Sequence, residues 1–437
     1  QSAQKVWFAT DWAVVEIDKI ERTPKFITKV EGLSDIGMDI IRYNPATKSL
    51  LLVYTNSNLD VYDPASGQVT NLPFIKKNPN IIGDKKIYSA VFDGKTVYLA
   101  CGFGVVKMDL ETTNVEYTVF TGTPVRSFAV YGDALYAGTE EGMFFLKKND
   151  ENPADFSRWK MLGAVQGFPV GETVAAMAVW QNMLYAGINK TVFKFDGNAA
   201  TVAVTNADRP IRYLSAEGTG LMIAWRKDFN GSIQYFEPNG ANYNVHELCD
   251  ARTPLYGVED GTKKFWIADL SDNFNYVDYN TLQCEEFHYN SPYLQSVAEI
   301  AIGGGRVLMA TPGAQQNLSP IGSTRGIEIL EDGKWRRLND ATNPELVPFS
   351  CHKDLWRVAT HPSQDKYYIG SFTGGLVEMS GDGKAKCYTK DNSALQNAGE
   401  AGADRTAIGG MAFDKLGNLW LSNYGAASPI AVLKPDG

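Results

Sequence analysis

The residues able to carry chemistry are few. Four histidines occur, His246, His288, His352 and His361, and none stands at the i, i+4 or H-x-H spacing that would aim two imidazoles at one metal ion. The one cluster is Cys351-His352-Lys353-Asp354, with His361 close behind. On a strand, positions 352 and 354 share a face, so this histidine and aspartate could bind a cation or tune a general base. A surface turn leading into a strand accounts for the same residues and is the expected reading. Asp269, Asp272 and Asp278, interleaved with Asn273 and Asn275, look like a calcium loop but lack the glycine and the closing glutamate of an EF-hand, so a solvated hairpin is expected there. No nucleophile elbow, phosphate loop or dinucleotide fingerprint lies between a strand and a helix. Gly303-Gly304-Gly305 and Gly374-Gly375 read as hairpin turns. The chain is expected to be no enzyme, with no cofactor and no metal.

Aromatic residues offer a different chemistry, that of recognition. Trp12, Trp180, Trp225 and Trp356 exceed what a repeating core demands, and an exposed tryptophan can stack on a sugar ring or fill a partner's pocket. Packing between repeats is expected to absorb most of them. The net charge of −9 argues against a nucleic-acid backbone as partner, because such binding needs a basic stripe. Local basic pairs such as Lys384/Lys386 remain. No apolar run reaches the roughly 18 residues of a membrane helix, so the chain is not expected to span a membrane.

The elements that must position these residues are announced by a recurring phrase: an apolar or aromatic anchor, a small residue, a turn, then a second apolar run. It is clearest in Val97-Tyr98-Leu99-Ala100-Cys101-Gly102, Leu135-Tyr136-Ala137-Gly138-Thr139, Leu184-Tyr185-Ala186-Gly187-Ile188 and Tyr367-Tyr368-Ile369-Gly370-Ser371. Weaker copies sit at Trp7, Leu52, Met222, Trp266, Leu308 and Trp420. Anchors recur every ~37 to 60 residues, the span of one four-stranded propeller blade. Alternation at period two runs throughout and helical stripes are absent. In the third unit, 87–92, 96–100, 105–109 and 115–120 read as four strands, with Asp93-Gly94-Lys95 as the first tight turn.

The fold expected is all-β: a seven-bladed β-propeller over residues 1–295, its first blade incomplete, followed by the first blades of a second propeller over 296–437, its last blade incomplete. Asn290-Ser291-Pro292 marks the boundary, and one closed ring of more blades is the alternative. The start at Gln1-Ser2-Ala3, four residues before a strand, fits a mature or trimmed terminus. Of five cysteines, Cys249 with Cys284 and Cys351 with Cys387 could form disulfides in an oxidising compartment; isolated buried thiols are the expected state, and Cys101 is left over. Regular length fails at 148–170, 311–325 and 391–405, the long polar connections where binding surfaces arise and where length change is tolerated. The connections 311–325 and 391–405 follow a second and a fourth strand, which run in the same direction, so both are expected on one rim. Gln315, Asn317, Arg325, Asn392 and Asn397 are its candidate contacts.

Asp414-Lys415-Leu416-Gly417-Asn418-Leu419-Trp420 resembles the D-x-x-G-N-[LI]-W signature of the two-component-regulator propellers of Bacteroidetes, and Gly32-Leu33-Ser34-Asp35 resembles the phrase that opens their blades. More narrowly, that segment with Leu50-Leu51-Leu52-Val53-Tyr54, Asn58-Leu59-Asp60 and Phe103-Gly104-Val105-Val106-Lys107-Met108-Asp109-Leu110 is similar to the amino-terminal half of PorZ-type proteins of the type IX secretion system. The resemblance implies two seven-bladed propellers and a carboxy-terminal sandwich with a sorting signal, of which the sandwich has no counterpart here. It implies a non-enzymatic surface protein that delivers an anionic lipopolysaccharide to the attachment machinery and its sortase.

The function expected is therefore a non-catalytic recognition or scaffold module, exported to the periplasm or outer cell surface. Its partner would be an envelope protein of a secretion and attachment complex, or an anionic glycan. The periplasmic sensor half of a hybrid histidine kinase is the alternative in the same fold, and a carbohydrate-active propeller enzyme is disfavoured.

Overall fold

Short apolar strands closed by glycine, asparagine and aspartate turns can bury both faces only by stacking sheet on sheet. A computed structural model describes residues 1–437 except 217, 250–252, 271–273, 288–291, 293–295, 350, 400–403 and 436–437. Among the described residues there are 38 strands, four short 3-10 turns and no α-helix. The strands form ten separate antiparallel sheets in chain order, eight with four strands and two with three. The all-β propeller fold expected from the sequence is the fold observed. In the third sheet the strands are Ile87–Asp93, Thr96–Cys101, Gly104–Asp109 and Val115–Phe120, close to the bounds read from the pattern.

The chain divides into two units, Gln1–His288 and Tyr289–Gly437. The first holds sheets 1 to 7, spanning 5–27, 38–71, 87–120, 125–162, 174–205, 211–244 and 254–287; the second holds sheets 8 to 10, spanning 299–338, 355–388 and 407–433. The expected boundary at 295 and most of Asn290-Ser291-Pro292 lie outside the described residues.

The recurring phrase has a packing explanation. Tyr98, Tyr136 and Tyr185 all sit on second strands, buried. Tyr98 stacks on Phe128 of the next sheet at 4.8 Å, Tyr136 meets Phe195 edge-on at 6.2 Å, and Tyr185 packs with Ile211 and Leu214. The small residue makes room for the strand that opens the following blade. A Cβ on Gly187 would lie 2.3 Å from Cδ1 of Ile211, and one on Gly138 would lie 2.9 Å from Cβ of Val174.

Sheet 1 meets sheet 7 within the first unit. Phe8 stacks on Phe274 with ring centroids 4.0 Å apart, and the Arg22 guanidinium lies 3.7 Å over Tyr276. Gln1 donates its amide Nε2 to the Glu259 carbonyl.

The cysteines depart from the expectation of isolated thiols. Cys249 pairs with Cys284 and Cys351 with Cys387, while Cys101 stays a buried thiol. Each pair joins the residue at or just after a 3-10 turn, Val245–Cys249 or Pro344–Phe349, to the outer strand of the sheet that follows. The thiols meet because that outer strand passes beneath the incoming linker, a three-dimensional relation that spacing alone leaves open. Two such bonds fit an oxidising compartment. Among the described residues no helix is long and apolar enough to cross a membrane.

Candidate binding rim of the second unit

The connection after Arg306–Ala310 folds on itself. Ala314 bridges Pro320, Gln315 N–H donates to the Ser319 carbonyl, and the Asn317 side-chain oxygen accepts Ser319 N–H at 3.1 Å. Its far end is fixed to the next sheet. Ser323 N–H donates to Asp354 Oδ1 at 2.7 Å, and Asp354 N–H donates to the Ser323 carbonyl.

Asp354 is fully buried with a positive φ of 49°, and Cys351 and His352 beside it are buried too. The expected turn leading into a strand is present at 351–354, but all of it except Lys353 is buried, and the connection 311–325 is bonded to it through Ser323. His361 Nδ1 accepts the N–H groups of Ser363 and Gln364 in the turn after its strand, and burial holds its imidazole below the ordinary value.

The connection after Ala385–Tyr388 is held as firmly. Asn392 accepts Thr389 N–H and donates Nδ2 to the Cys387 carbonyl, and Asn397 donates to Asp404 while accepting from the Thr406 hydroxyl. Leu395 and Ala398 are buried, and Asn423 pairs with the backbone of Gln396 in both directions. Leu395 packs among Tyr368, Leu376, Ile408 and Leu421 of sheets 9 and 10, so the described part of this segment is packed.

The two connections meet. Arg405, nearly buried above the rings of Phe372 and Tyr424, donates Nη1 to the Leu318 carbonyl at 3.5 Å. Gln315, Asn317 and Arg325 are exposed at this rim. Asn392 is exposed with its amide engaged by backbone, and Asn397 is half-buried and bonded to Asp404 and Thr406. Sequence reasoning missed Leu318 and Ile321, apolar residues exposed beside the polar candidates, and the tie through Arg405. The arginine's role depends on a contact 87 residues away in sequence, which no local pattern signals.

The other sequence candidates scatter. Asp269 and Asp278 lie on the paired strands Lys264–Asp269 and Phe274–Asp278 of one hairpin, as expected, but Asp269 is buried and accepts Thr253 N–H at 2.8 Å while Asp278 caps the turn at Asn280, so the described part of the hairpin is not wholly solvated. Asp272 and Asn273 lie outside the described residues, as does His288. Asn275 is buried, and His246 Nδ1 faces the backbone of Ile233. Of the four tryptophans, Trp225 is 1 % exposed, Trp180 donates to the Thr219 carbonyl and Trp356 to the Ile408 carbonyl. Trp12 alone stands 68 % exposed, on a turn held by the Thr10 hydroxyl.

The family model "TSS9, PorZ, N-terminal beta-propeller domain" matches residues 6–160. Gly32-Leu33-Ser34-Asp35 and Phe103–Leu110 both fall inside that segment, so the resemblance read from them is borne out there. No curated protein matches the chain. Among solved structures, PorZ of Porphyromonas gingivalis, described as an essential bacterial surface component of the type IX secretion system, matches at TM-score 0.69 and 22% identity, over 100% of this chain and 57% of that one. The chain thus spans little more than half of that protein's length. A chain of a mitotic checkpoint complex matches at TM-score 0.47 and 15% identity, over 63% of this chain and 84% of that one. The extracellular domain of a putative hybrid two-component system from B. thetaiotaomicron matches at TM-score 0.34 and 12% identity, over 100% and 56%.

Proposed function

We propose that this chain is a non-catalytic recognition and scaffold module of the cell envelope that works, like PorZ, in type IX secretion, holding an envelope protein or an anionic lipopolysaccharide for the attachment machinery. The observation that carries the reading is the junction of two insertions on neighbouring sheets through Arg405 and Leu318, which presents Gln315, Asn317 and Arg325 outward from a rigid base. Sites built on such a base position contacts at little entropic cost. The family match over residues 6–160 and the two disulfides support an exported envelope role. An arginine beside neutral amides and exposed Leu318 suits a partner that offers both negative charge and apolar surface.

Because both connections pack into the second unit, point substitutions and not deletions test the reading. A Gln315→Ala/Asn317→Ala/Arg325→Glu variant is expected to keep its melting temperature and to lose capture of purified lipopolysaccharide or of the envelope partner. Undiminished capture by the folded variant would rule the rim out.

A further inference from the structure

His361 and Lys386, which the rim does not use, line one cleft of about 170 Å³ between sheets 9 and 10 of the second unit. At roughly 30 Å³ per water, that is room for one compact polar group and a few waters. The cleft lies at the opposite end of the strands from the rim. It is bounded by the turns after two first strands, 361–365 and 414–418, whereas the rim follows a second and a fourth strand.

The two walls differ. On sheet 9, Tyr368, Glu378 and Lys386 are cross-strand partners and form one row on one face. On sheet 10, Phe413, Leu419 and Leu433 form the facing row, which is apolar. The Glu378 carboxylate is already satisfied: Lys366 Nζ lies 2.8 Å from Oε1, and the Tyr388 hydroxyl donates to Oε2 at 2.7 Å. Lys386 holds its amine 4.4 Å over the Tyr388 ring, and neither it nor the exposed Lys434 has a carboxylate partner among the described residues. Lys366, Lys386 and Lys434 against Glu378 leave an excess of two positive charges in the cleft, on a chain whose net charge is −9.

Two buried donors line the same space. His361 is 7 % exposed, and its Nδ1 accepts N–H from Ser363 at 3.1 Å and from Gln364 at 2.9 Å. A ring nitrogen that accepts two N–H groups carries no proton, so the proton of the neutral imidazole sits on Nε2. Nε2–H is left as a donor with no protein partner among the described residues. Tyr368 is 5 % exposed, and its hydroxyl likewise has no protein partner among them. Buried donors of this kind are rarely left unused. Phe413 packs edge-on against both rings, 5.1 Å from His361 and 5.6 Å from Tyr368, and so fixes their orientation.

We propose that this cleft is a phosphate-binding site separate from the rim, with His361 Nε2–H, the Tyr368 hydroxyl and the Lys386 and Lys434 amines as its donors. A phosphate group carries about 1.5 to 2 negative charges at pH 7 and offers three strong acceptor oxygens, which matches both the charge excess and the donors. A carboxylate, with one charge, would leave a lysine unbalanced. The apolar row Phe413, Leu419 and Leu433 gives the opposite wall to whatever carries the phosphate.

The test is titration of the full polypeptide at constant ionic strength with inorganic phosphate, with glucose 6-phosphate and with chloride, followed at the ring-nitrogen resonances of His361. The free protein should show the Nε2–H tautomer. Phosphate or its ester should shift these resonances with a Kd of about 1 mM or tighter, and chloride should not. Binding of the ester assigns the site to a phosphate borne on a larger ligand, and binding of inorganic phosphate alone assigns it to the free ion. Tyr368→Phe and Lys386→Gln should each weaken binding about fivefold or more with melting nearly unchanged, since neither removed group has a hydrogen-bond partner in the protein. Lys384→Gln, whose native amine pairs with Asp382 outside the cleft, should bind as the native protein does. No shift with either phosphate, an equal shift with chloride, undiminished binding by Tyr368→Phe and Lys386→Gln, or an equal loss in Lys384→Gln would each overturn the proposal.

Discussion

Phe8 and Phe274 lie face to face, 4.0 Å between ring centroids and 17° between planes, and so join the first sheet of the first unit to the seventh. The residues are 266 positions apart in sequence, and both are buried. The first and seventh sheets of this unit are joined by side chains at this seam. Phe8→Ala should destabilise the first unit by about 3 to 5 kcal/mol in denaturant unfolding. A loss below about 1 kcal/mol would mean that the seam carries little of the closure.

The packing role of the phrase gives a second expectation. Tyr98→Ala, Tyr136→Ala and Tyr185→Ala should each cost about 3 to 5 kcal/mol, because each removes a ring buried between two sheets. Gly187→Val should be destabilising for the opposite reason, since its side chain would collide with Ile211. Chemical denaturation of the four variants checks both signs.

The disulfides close loops of 35 and 36 residues in sequence separation, and loops of that length are stabilised by roughly 4 kcal/mol when cross-linked. Alkylation of the folded protein should modify none of the five cysteines, and Cys101 alone should react after unfolding without reductant. Burial pushes the Cys101 thiol up, which keeps it unreactive in the fold. Modification of Cys249 or Cys351 without reductant would show the pairs unmade.

Asp414 supplies a pH dependence. It accepts hydrogen bonds from the Trp420 indole, from the Asn418 side chain and from the N–H groups of Asn418 and Leu416, and these hold its carboxyl at about 2, against an ordinary value of 3.8. Because the folded value lies below the unfolded one, its contribution is complete above about pH 4 and disappears as pH falls through about 2. Melting temperature followed from pH 5 to pH 2 should fall less steeply in Asp414→Asn than in the native protein. Equal slopes would mean that this turn does not contribute to acid sensitivity.

Much of the fold is legible in sequence because each blade is local. Val97–Gly102 and its copies mark second strands, and the Asp93-Gly94 turn sets the register of the first hairpin. The D-x-x-G-N-x-W phrase is legible for the same reason, since Asp414 and Trp420 bond within one hairpin. What sequence leaves open depends on contacts between distant segments. Cys249 meets Cys284 where a linker meets the next outer strand, and Asp354 is held by Ser323 of a distant connection. The candidate rim divides in the same way. Exposure of Gln315, Asn317 and Arg325 follows from polar loop composition, whereas the engagement of Asn392 and Asn397 follows from turn geometry that composition does not reveal.

The central claim, that the rim around Arg325 is a binding surface for an anionic envelope ligand, is tested most directly by titrating purified lipopolysaccharide into the native protein and into Arg325→Glu by calorimetry. Arg325 is exposed and its side chain has no partner among the described residues, so the substitution should leave melting unchanged. Charge reversal at one contact should weaken binding at least tenfold, an effect of about 1.4 kcal/mol or more. Equal affinity of the two proteins for lipopolysaccharide that the native protein binds, or no binding by either, would contradict the account.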